Sequence, residues 1–515
     1  MMSTPSKPPN EKKTEAEAVS EPTPTSAFRE VYPLNEPYSY AAITRDPTTG
    51  GLKYVVIEPT LLDQERKHLE KVKGLLMEEV DLDLKAIETR EKAEQYLRKK
   101  IEQISRRYRI KMKKETLDKL MYYVSRDFIH YGKIDPFMRD HMIEDISCDG
   151  VGVPLYIWHR EYESIPSNVM FESSKELDSF VVKLAYKAGR HISIAQPIVD
   201  ASLPDGSRIQ LTYGKEVTMK GGTFTIRRFR ADPLTISDLI SFNTLSSDMA
   251  AYFWYAIEKK ASFLITGGTA SGKTTTLNAL SMFIMPDYKI VSIEDTAELN
   301  LPHENWIPSV ARMGFGSSEA EISLFDLLRA AMRQRSDYII VGEVRGEEAY
   351  TLFQAMATGH GGLSSTHADS VAASIKRLES EPMNIPRSLI VTLDAIAVQA
   401  RVRLGDKTVR RIQHVGELVS YDSASKEVVT NDVYKWDPRT DRLLYSGRSS
   451  VLEKISVRFG LELESIVEEI KRRKTVLDWM VKREIRRYND VATVIRDYYA
   501  NATASYEKAR LGLME

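Results

Sequence analysis

The chain has 515 residues, of which 42% are hydrophobic and 28% charged, so at about 100–200 residues per domain we expect several domains. The balance of 72 basic against 73 acidic residues weighs against a nucleic-acid binder, and the single cysteine, Cys148, excludes an intrachain disulfide or a four-cysteine zinc site. No apolar run reaches the roughly 18–20 residues of a membrane span and the first residues have no signal-peptide core, so we expect a cytoplasmic protein.

The first half of the chain predicts a tail followed by an N-terminal domain. Residues 1–27, rich in Pro, Ser, Thr, Glu and Lys, predict a disordered tail. Residues 28–230 predict a helical and α+β domain. Helically spaced leucines and isoleucines between about 59 and 134 indicate three amphipathic helices, and the runs EDISCDG, PLYIWHREY, GSRIQLTYG and GTFTIRRF indicate strands around one helix near 174–188. The segment ADPLT, residues 231–235, predicts a hinge linker.

The second half predicts an α/β domain with a helical extension. In residues 236–448 the apolar runs SFLITG, KIVSIED, YIIVGEV and GGLSSTH alternate with helical text, which predicts a doubly wound sheet covered on both faces. Residues 449–515 are again rich in charged residues and predict helices. The cluster KRRK, Lys471–Lys474, predicts a solvated helix face, with contact to acidic lipid or a membrane protein as the alternative.

The strongest chemical signal is ASFLITGGTASGKTTT, which matches the pattern G-x-x-x-x-G-K-S/T between a buried-strand run and a helix. Glycines let the backbone curl, so that its N–H groups and the helix N-terminus point at the β- and γ-phosphates of a nucleotide. Lys273 adds a point charge, and Thr274 offers a hydroxyl to Mg²⁺. The predicted nucleotide-binding residues are Gly267, Gly268, Thr269, Ala270, Ser271, Gly272, Lys273, Thr274 and Thr275.

Two acidic segments follow apolar strand runs further along the chain. The run YIIV leads into Glu343, which places a carboxylate at the strand end where doubly wound sheets bind ligands, and where it can hold Mg²⁺ or polarise water. KIVSIEDTAELN ends its strand in Glu294 and Asp295, with Glu298 three residues further on. The plainer alternatives are an acidic turn for the first and an acidic helix start, favoured by the helix dipole, for the second.

The segment TGHGGLSSTHADS carries His360 and His367 after a fourth strand run. A single histidine is usually a structural hydrogen-bonding residue. Two of them in a loop of small residues, directly after the acidic strand, favour a role at the same site.

These four motifs, in this order, resemble those of the secretion ATPases, which drive type II secretion, type IV pili, conjugation and archaella. The resemblance covers nearly all of the chain after about Asp135. EDTAE and the ending VYKWDPRTDRLLYSGR are most similar to archaeal pilus and archaellum ATPases, and among these we favour the archaellum motor. The single cysteine and the absence of a proline in EDTAE argue against the bacterial type II and pilus branches.

The resemblance implies a fold and a set of roles. The fold is α/β: a RecA-like P-loop NTPase domain preceded by an α+β N-terminal domain with a helical leader, and followed by a helical extension. The activity is Mg²⁺-dependent ATP hydrolysis. Lys273 and Thr274 would bind phosphate and Mg²⁺, Glu298 would activate the attacking water, Glu343 would organise Mg²⁺ or its water, and His367 would lie near the γ-phosphate.

The resemblance also implies that arginines of the N-terminal domain complete the nucleotide site. The matching positions are Arg208, Arg227 and Arg228; the alternative is that they are surface or salt-bridging residues.

The implied assembly is a homo-hexamer at the inner face of the cell membrane, with a polytopic membrane platform protein and other filament-motor accessory proteins as partners. It would drive filament assembly, with filament rotation left open. An adhesive-pilus motor, a conjugation-type secretion motor, a nucleotide-gated scaffold and a nucleic-acid translocase remain the alternatives.

Overall fold

The structure is a computed structural model that describes residues 28–79, 90–229, 232–312, 321–405 and 407–515. The chain divides into two units after Phe229. The predicted tail lies outside the described residues, as do residue 231 of the predicted hinge and the start of the second predicted helix, residues 84–89. Each unit has a nine-stranded sheet.

In its described residues, unit 1 combines a long sheet with five α-helices. Its strands are β1 Phe28–Asn35, β2 Ser39–Arg45, β3 Leu52–Ile57, β4 Ile143–Cys148, β5 Pro154–His159, β6 Glu163–Met170, β7 Ile198–Ser202, β8 Arg208–Thr212 and β9 Thr223–Arg227. Its helices are α1 Asp63–Glu79, α2 Arg90–Arg107, α3 Lys114–Phe128, α4 Asp135–Arg139 and α5 Ser174–Lys187. The sheet order is β1-β2-β3-β6-β5-β4-β9-β8-β7, and every neighbouring pair is antiparallel except β3 with β6.

Helices α1, α2 and α3 are the three amphipathic helices that the sequence predicts. Their leucines and isoleucines form a core separate from that of the sheet, including Leu76, Leu97, Ile101 and Leu120. The sequence did not predict β1, β2, β3, β6 and β7. In β1 charged residues and Pro33 interrupt the apolar alternation, which a strand at the edge of a sheet tolerates.

A buried carboxylate ties the first strands of unit 1 to the end of α4. Asp140 is fully buried, and its Oδ2 accepts hydrogen bonds from the hydroxyls of Tyr54 at 2.6 Å and Tyr32 at 2.8 Å. Its Oδ1 accepts the backbone N–H of Met142 at 2.7 Å. Burial and the neighbouring carboxylate raise the pKa of Tyr54 far above its usual value, so the hydroxyl stays a donor. These donors offset the cost of removing the carboxylate from water.

Unit 2 is the predicted α/β domain with its helical extension. Its strands are β10 Phe263–Thr266, β11 Ile290–Glu294, β12 Trp306–Val310, β13 Tyr338–Val341, β14 Gly361–Thr366, β15 Ala395–Leu404, β16 Lys407–Asp422, β17 Glu427–Asp437 and β18 Arg442–Tyr445. Its helices are α6 Ile236–Ser241, α7 Ser247–Glu258, α8 Lys273–Ser281, α9 Leu324–Ala331, α10 Glu348–Ala357, α11 Val371–Glu379, α12 Arg387–Ile390, α13 Ser450–Phe459, α14 Leu463–Lys482, α15 Tyr488–Ala500 and α16 Ala502–Met514.

The sheet of unit 2 has a parallel and an antiparallel part. Its order is β12-β11-β13-β14-β10-β15-β16-β17-β18, with parallel pairing from β12 to β15 and antiparallel pairing from β15 to β18. Along β10, Phe263 and Ile265 enter one core and Leu264 enters the core of the opposite face. The predicted fold class, with a sheet covered on both faces and a helical C-terminal end, is confirmed. The sequence did not predict β12, β15, β16, β17 and β18. Charged residues interrupt the apolar runs of β16 and β17, and β18 has only four residues.

The prediction that KRRK forms a solvated helix face is wrong at Arg473, which is only 3% exposed. Its guanidinium forms ion pairs with Glu258 and Glu469 and packs against the rings of Trp254 and Tyr498. The arginine charge holds the pKa of Glu258 low even though burial alone would raise it. These partners offset the desolvation of the guanidinium. In the part of the chain that the structure describes, no helix is long and apolar enough to cross a membrane.

Candidate functional site

The loop Gly267–Gly272 connects β10 to α8 in the order strand, loop, helix. Gly272 has a φ of +93°, in the left-handed region that glycine adopts readily. A Cβ atom added to Gly267 would lie 2.0 Å from the backbone oxygen of Gln399, so no larger residue fits there. The loop therefore curls tightly around the N-terminus of α8, and this cradle fits a phosphate group.

Lys273 spans the inside of this loop. It is the first residue of α8, it is largely buried, and its Nζ donates hydrogen bonds to the carbonyl oxygens of Gly267 and Gly268, each at 3.1 Å. Thr274 and Thr275 follow it in the first turn of α8. The ammonium group therefore lies where a phosphate oxygen could take over as its partner.

His367 and Glu343 lie beside Lys273. Strands β13 and β14 pair in parallel, so the residues after their carboxyl ends meet at one edge of the sheet. The Nδ1 atom of His367 lies 3.4 Å from the Nζ of Lys273, and its Nε2 lies 3.4 Å from the Oε1 of Glu343. The histidine thus connects the loop lysine to the carboxylate at the end of β13.

The electrostatic surroundings favour a neutral His367. Burial and the charge of Lys273 lower the pKa of His367, and the charge of Glu343 opposes them in part. A neutral ring that donates from Nε2 to Glu343 leaves Nδ1 free to accept from Lys273, and we infer this tautomer from the two contacts. The site therefore alternates cation, neutral ring and anion.

The acidic segment at the end of β11 forms a loop whose backbone is held by hydrogen bonds to a buried carboxylate. Glu294 is buried, and its Oε1 accepts the backbone N–H groups of Glu298 at 2.9 Å and Leu299 at 3.0 Å. Asp295 forms an ion pair with Arg345. Glu294 therefore fixes the backbone that carries the partly exposed Glu298. The sequence indicated Glu294 as a strand end and gave it no role of its own.

The first histidine of the segment, His360, lies apart from these contacts. The Nδ1 of His360 is 3.1 Å from the carbonyl oxygen of Ala355, near the end of α10. It is therefore a structural histidine that closes the helix end.

The three arginines predicted from the N-terminal domain fall into two groups within unit 1. Arg208 and Arg227 are direct partners in the β8–β9 pairing, so their side chains leave the same face of the sheet. Arg228 is the next residue, and its guanidinium donates to the carbonyl oxygens of Phe137 and Asp140. Burial lowers the pKa of Arg228. Arg228 therefore supports the interior of unit 1.

Side chains alone would not provide enough ligands for a metal ion at this site. In the described ranges, no group of three or more His, Cys, Asp or Glu side chains could hold a metal ion. The hydroxyl of Thr274 and the carboxylate of Glu343 are oxygen ligands of the kind that Mg²⁺ prefers, and it commonly takes phosphate oxygens and waters as well. The donor set fits Mg²⁺ bound together with a nucleotide.

The structure adds residues that no motif indicated. Gln399 and Arg410, on β15 and β16, contact the loop Gly267–Gly272. A cavity of about 410 Å³ opens beside this loop; it is lined by Gly267, Gly268, His367, Ala368, Asp369, Ala373 and Arg377. Sequence reasoning missed Arg377 because a lone arginine on an amphipathic helix carries no pattern.

Comparisons with known proteins place the chain among relatives. A family model described as "Type II/IV secretion system protein" matches residues 133–496. An uncharacterized protein of Methanocaldococcus jannaschii is 38% identical over 495 residues, which cover 91% of this chain and 88% of that protein. The conjugal transfer protein TrbB of Rhizobium radiobacter is 32% identical over 229 residues, or 43% of this chain and 68% of that protein. The solved ATPase DotB of Legionella pneumophila is 16% identical, covering 68% of this chain and 91% of its own, with a TM-score of 0.41.

Proposed function

Because the chain belongs to the family of type II/IV secretion system proteins, we propose that it hydrolyses ATP at the loop Gly267–Gly272. The observation that carries this proposal is the contact between Lys273, His367 and Glu343, which follow three neighbouring parallel strands and meet beside a loop shaped for phosphate. Loops that cradle phosphates at the start of a helix occur throughout the P-loop NTPases.

Each residue has a task in this reaction. The backbone N–H groups of the loop and the Nζ of Lys273 bind the β- and γ-phosphates. Glu298 orients the attacking water and accepts its proton, and Glu343 holds His367 through its Nε2. Thr274 and Glu343 would hold Mg²⁺ together with phosphate oxygens, and the bound ion would supply positive charge against the charge that develops on the transferred phosphoryl group. The family resemblance assigns further positive charge to Arg208 or Arg227, either of this chain or of a neighbouring subunit.

The second part of the proposal concerns the machine that uses the energy. We propose a homo-hexameric ring at the inner face of the cell membrane that drives assembly of an archaeal type IV pilus-like filament. Among such filaments we favour the archaellum. The extent of the match to the Methanocaldococcus jannaschii relative supports an archaeal system. A polytopic membrane platform protein and other filament-motor accessory proteins would be its partners. The match to TrbB favours a conjugation-type secretion motor as the second candidate.

Multiple-turnover phosphate release from ATP tests the catalytic part. The purified full chain with Mg²⁺ and lipid vesicles should release phosphate over many turnovers, and EDTA should stop it. Lys273→Ala gives the background of the assay. ATP binding without multiple turnovers would instead support the nucleotide-gated scaffold, and stimulation by DNA with salt-sensitive binding would support the translocase.

Deletion of the gene in its native cell tests the assignment to a filament. Loss of swimming with surface adhesion retained supports the archaellum, and the reverse supports an adhesive pilus. Loss of DNA transfer between cells with both properties retained supports the conjugation-type motor. Co-purification of a polytopic membrane protein with the tagged chain would identify the platform, and the mass of the purified assembly reports the number of subunits.

A further inference from the structure

Gln399 touches the phosphate loop at both of its ends. It lies on β15, next to β10, and is 1% exposed. Its backbone oxygen approaches Gly267 so closely that it excludes a side chain there, and its Nε2 lies 3.0 Å from the position that a Cβ would take on Gly272. One residue therefore contacts both ends of the loop, Gly267 through its backbone oxygen and Gly272 through its side chain.

A β-bulge in β16 lies opposite Gln399. Along the β15–β16 pairing, Val398 is opposite His414 and Gln399 is opposite Ile412, so Gln413 has no partner residue. The parallel pairing of β15 with β10 ends one residue earlier, at Val398. Bulges next to functional sites bend a strand and redirect its side chains. At Gln399, β15 has thus left its pairing with β10, and its register against β16 has shifted by one residue of β16.

Two polar atoms at this contact have no hydrogen-bond partner in the described part of the chain. They are the Oε1 of Gln399 and the Oγ of Ser271, both in residues that are about 1% exposed. Such unsatisfied buried groups are rare and call for an explanation. The two atoms are chemically complementary, because a serine hydroxyl donates and an amide oxygen accepts. Both residues also border the position of a Cβ on Gly267.

Arg410, on β16, holds the outer turn of the same loop. Its Nε donates to the carbonyl oxygen of Ala270 at 3.2 Å. Ala270 has a φ of +59°, which is uncommon for a residue with a side chain. The Cδ of Arg410 also lies 3.1 Å from the Cβ position of Gly272. The antiparallel part of the sheet therefore contacts the loop through two side chains.

We propose that Gln399 and Arg410 are positioning residues that clamp the phosphate loop and respond to its occupation by nucleotide. When phosphate draws the loop inward, the hydroxyl of Ser271 donates to the Oε1 of Gln399, and both buried groups gain their partner. The clamp links phosphate binding to the antiparallel strands β15 and β16. This inference rests on the proposed nucleotide binding at Gly267–Gly272.

The test compares Gln399→Ala and Gln399→Glu by the Kd for fluorescently labelled ADP with Mg²⁺, in the full chain. Gln399→Ala should raise this Kd about tenfold, because one hydrogen bond formed in the bound state is lost. Gln399→Glu keeps the shape but adds a charge that repels phosphate, so its Kd should rise about a hundredfold or more. Gln334→Ala is the matched control, since the Oε1 of Gln334 is also buried and has no hydrogen-bond partner among the described residues, but lies after α9.

Two further measurements separate positioning from general support of the fold. Ser271→Ala should match Gln399→Ala, and the double variant should be no worse than either, because both changes remove the same hydrogen bond. Hydrogen exchange in β15 and β16 should slow on ADP binding in the wild type and stay unchanged in Gln399→Ala. Arg410 is exposed, so Arg410→Ala does not threaten folding. It should raise the Kd about threefold.

The outcomes separate this inference from the proposed function. If the wild type binds ADP and Lys273→Ala does not, while all Gln399 and Arg410 variants bind as Gln334→Ala does, the clamp is overturned and the nucleotide site stands. If Gln399→Ala and Gln399→Glu weaken binding equally and lower the Tm, the role is structural and the clamp is again overturned. If the wild type and Lys273→Ala both bind no ADP, the proposed function fails and the clamp fails with it.

Discussion

The two sheets of the protein have the same number of strands and use them differently. In unit 2 the parallel strands from β12 to β15 all end at one edge, so the side chains that follow them gather there, as Lys273, His367 and Glu343 do. In unit 1 the mostly antiparallel strands end at alternate edges. Its polar groups lie in the interior, as Asp140 does, or side by side on a face, as Arg208 and Arg227 do. Strand direction, more than strand number, determines where a chemical cluster can form.

The largest effect is expected at the edge of unit 2. Lys273→Ala should abolish ATP turnover and raise the Kd for ATP at least about a hundredfold, because it removes the charge that faces the phosphates. The Tm should stay near that of the wild type. Phosphate release and equilibrium binding measure this, with Lys376→Ala, an exposed lysine of α11, as the control. Normal turnover in Lys273→Ala would remove the catalytic role of this edge.

Glu343→Gln should separate chemistry from binding. The amide keeps the size of the carboxylate but loses its charge, so kcat should fall about a hundredfold to a thousandfold while the Kd for ATP changes little. Single-turnover phosphate release measures the chemical step. Glu347→Gln, an exposed glutamate four residues on, is the matched control. An equal and small effect of both changes would contradict the role of Glu343.

Two adjacent arginines of unit 1 test whether its antiparallel sheet takes part in the chemistry. Arg227→Ala should lower turnover about tenfold to a thousandfold with an unchanged Tm, which would give the antiparallel sheet a share in the chemistry. The adjacent change Arg228→Ala should lower the Tm by about 3–8 °C, because it removes the donors to Phe137 and Asp140, and should leave the kcat of the folded protein near normal. A loss of turnover in Arg228→Ala and a loss of stability in Arg227→Ala would contradict both assignments.

The pH dependence of turnover tests the protonation state of His367. Its lowered pKa keeps the ring neutral at pH values where an ordinary histidine, with a pKa of about 6.5, is already half protonated. The contacts of the neutral ring are thus fully present above that value and are lost as the pH falls through the lower pKa of the folded protein. Turnover should therefore stay level from about pH 8 to 6.5 and fall only below it. The acidic fall should be absent in His367→Gln, and a midpoint at or above pH 6.5 would contradict the assignment.

The smallest effect is expected in the interior of unit 1. Tyr54→Phe removes one donor to the buried Asp140 and should cost about 1–3 kcal/mol of unfolding free energy, with unchanged turnover. Denaturant unfolding measures this loss. Tyr156→Phe, at a more exposed position on β5, should have no measurable effect. A loss of turnover in Tyr54→Phe would show that unit 1 is coupled to the chemistry through its interior.

Local patterns predicted much of the fold. The apolar spacing of α1 to α3 predicts these helices, and the sequence around Gly267 predicts a strand, a loop and a helix. All of these elements are present. The strands β1 and β16 were missed because charged residues and proline interrupt their apolar alternation. Such strands form through pairing with partners that the local sequence does not contain.

The candidate site shows the same division. Lys273, Glu343 and His367 belong to compact motifs, and their catalytic roles stay predictions. Gln399 is a single polar residue in the apolar run AIAVQARV, and its contact with Gly267 joins residues far apart in sequence. Arg473 looked like part of a solvated basic cluster because its partner Glu258 lies on a distant helix. Contacts of this kind appear only once the chain is folded.

The buried ion pair between Arg473 and Glu258 has a consequence for the response of the protein to heat. It joins α14 to α7, the helix that precedes β10. The hydration of charged groups becomes less favourable as temperature rises, so the cost of keeping these two groups out of water decreases on heating. We therefore expect the C-terminal helices to remain attached to the sheet of unit 2 at temperatures that already loosen contacts made by apolar side chains alone.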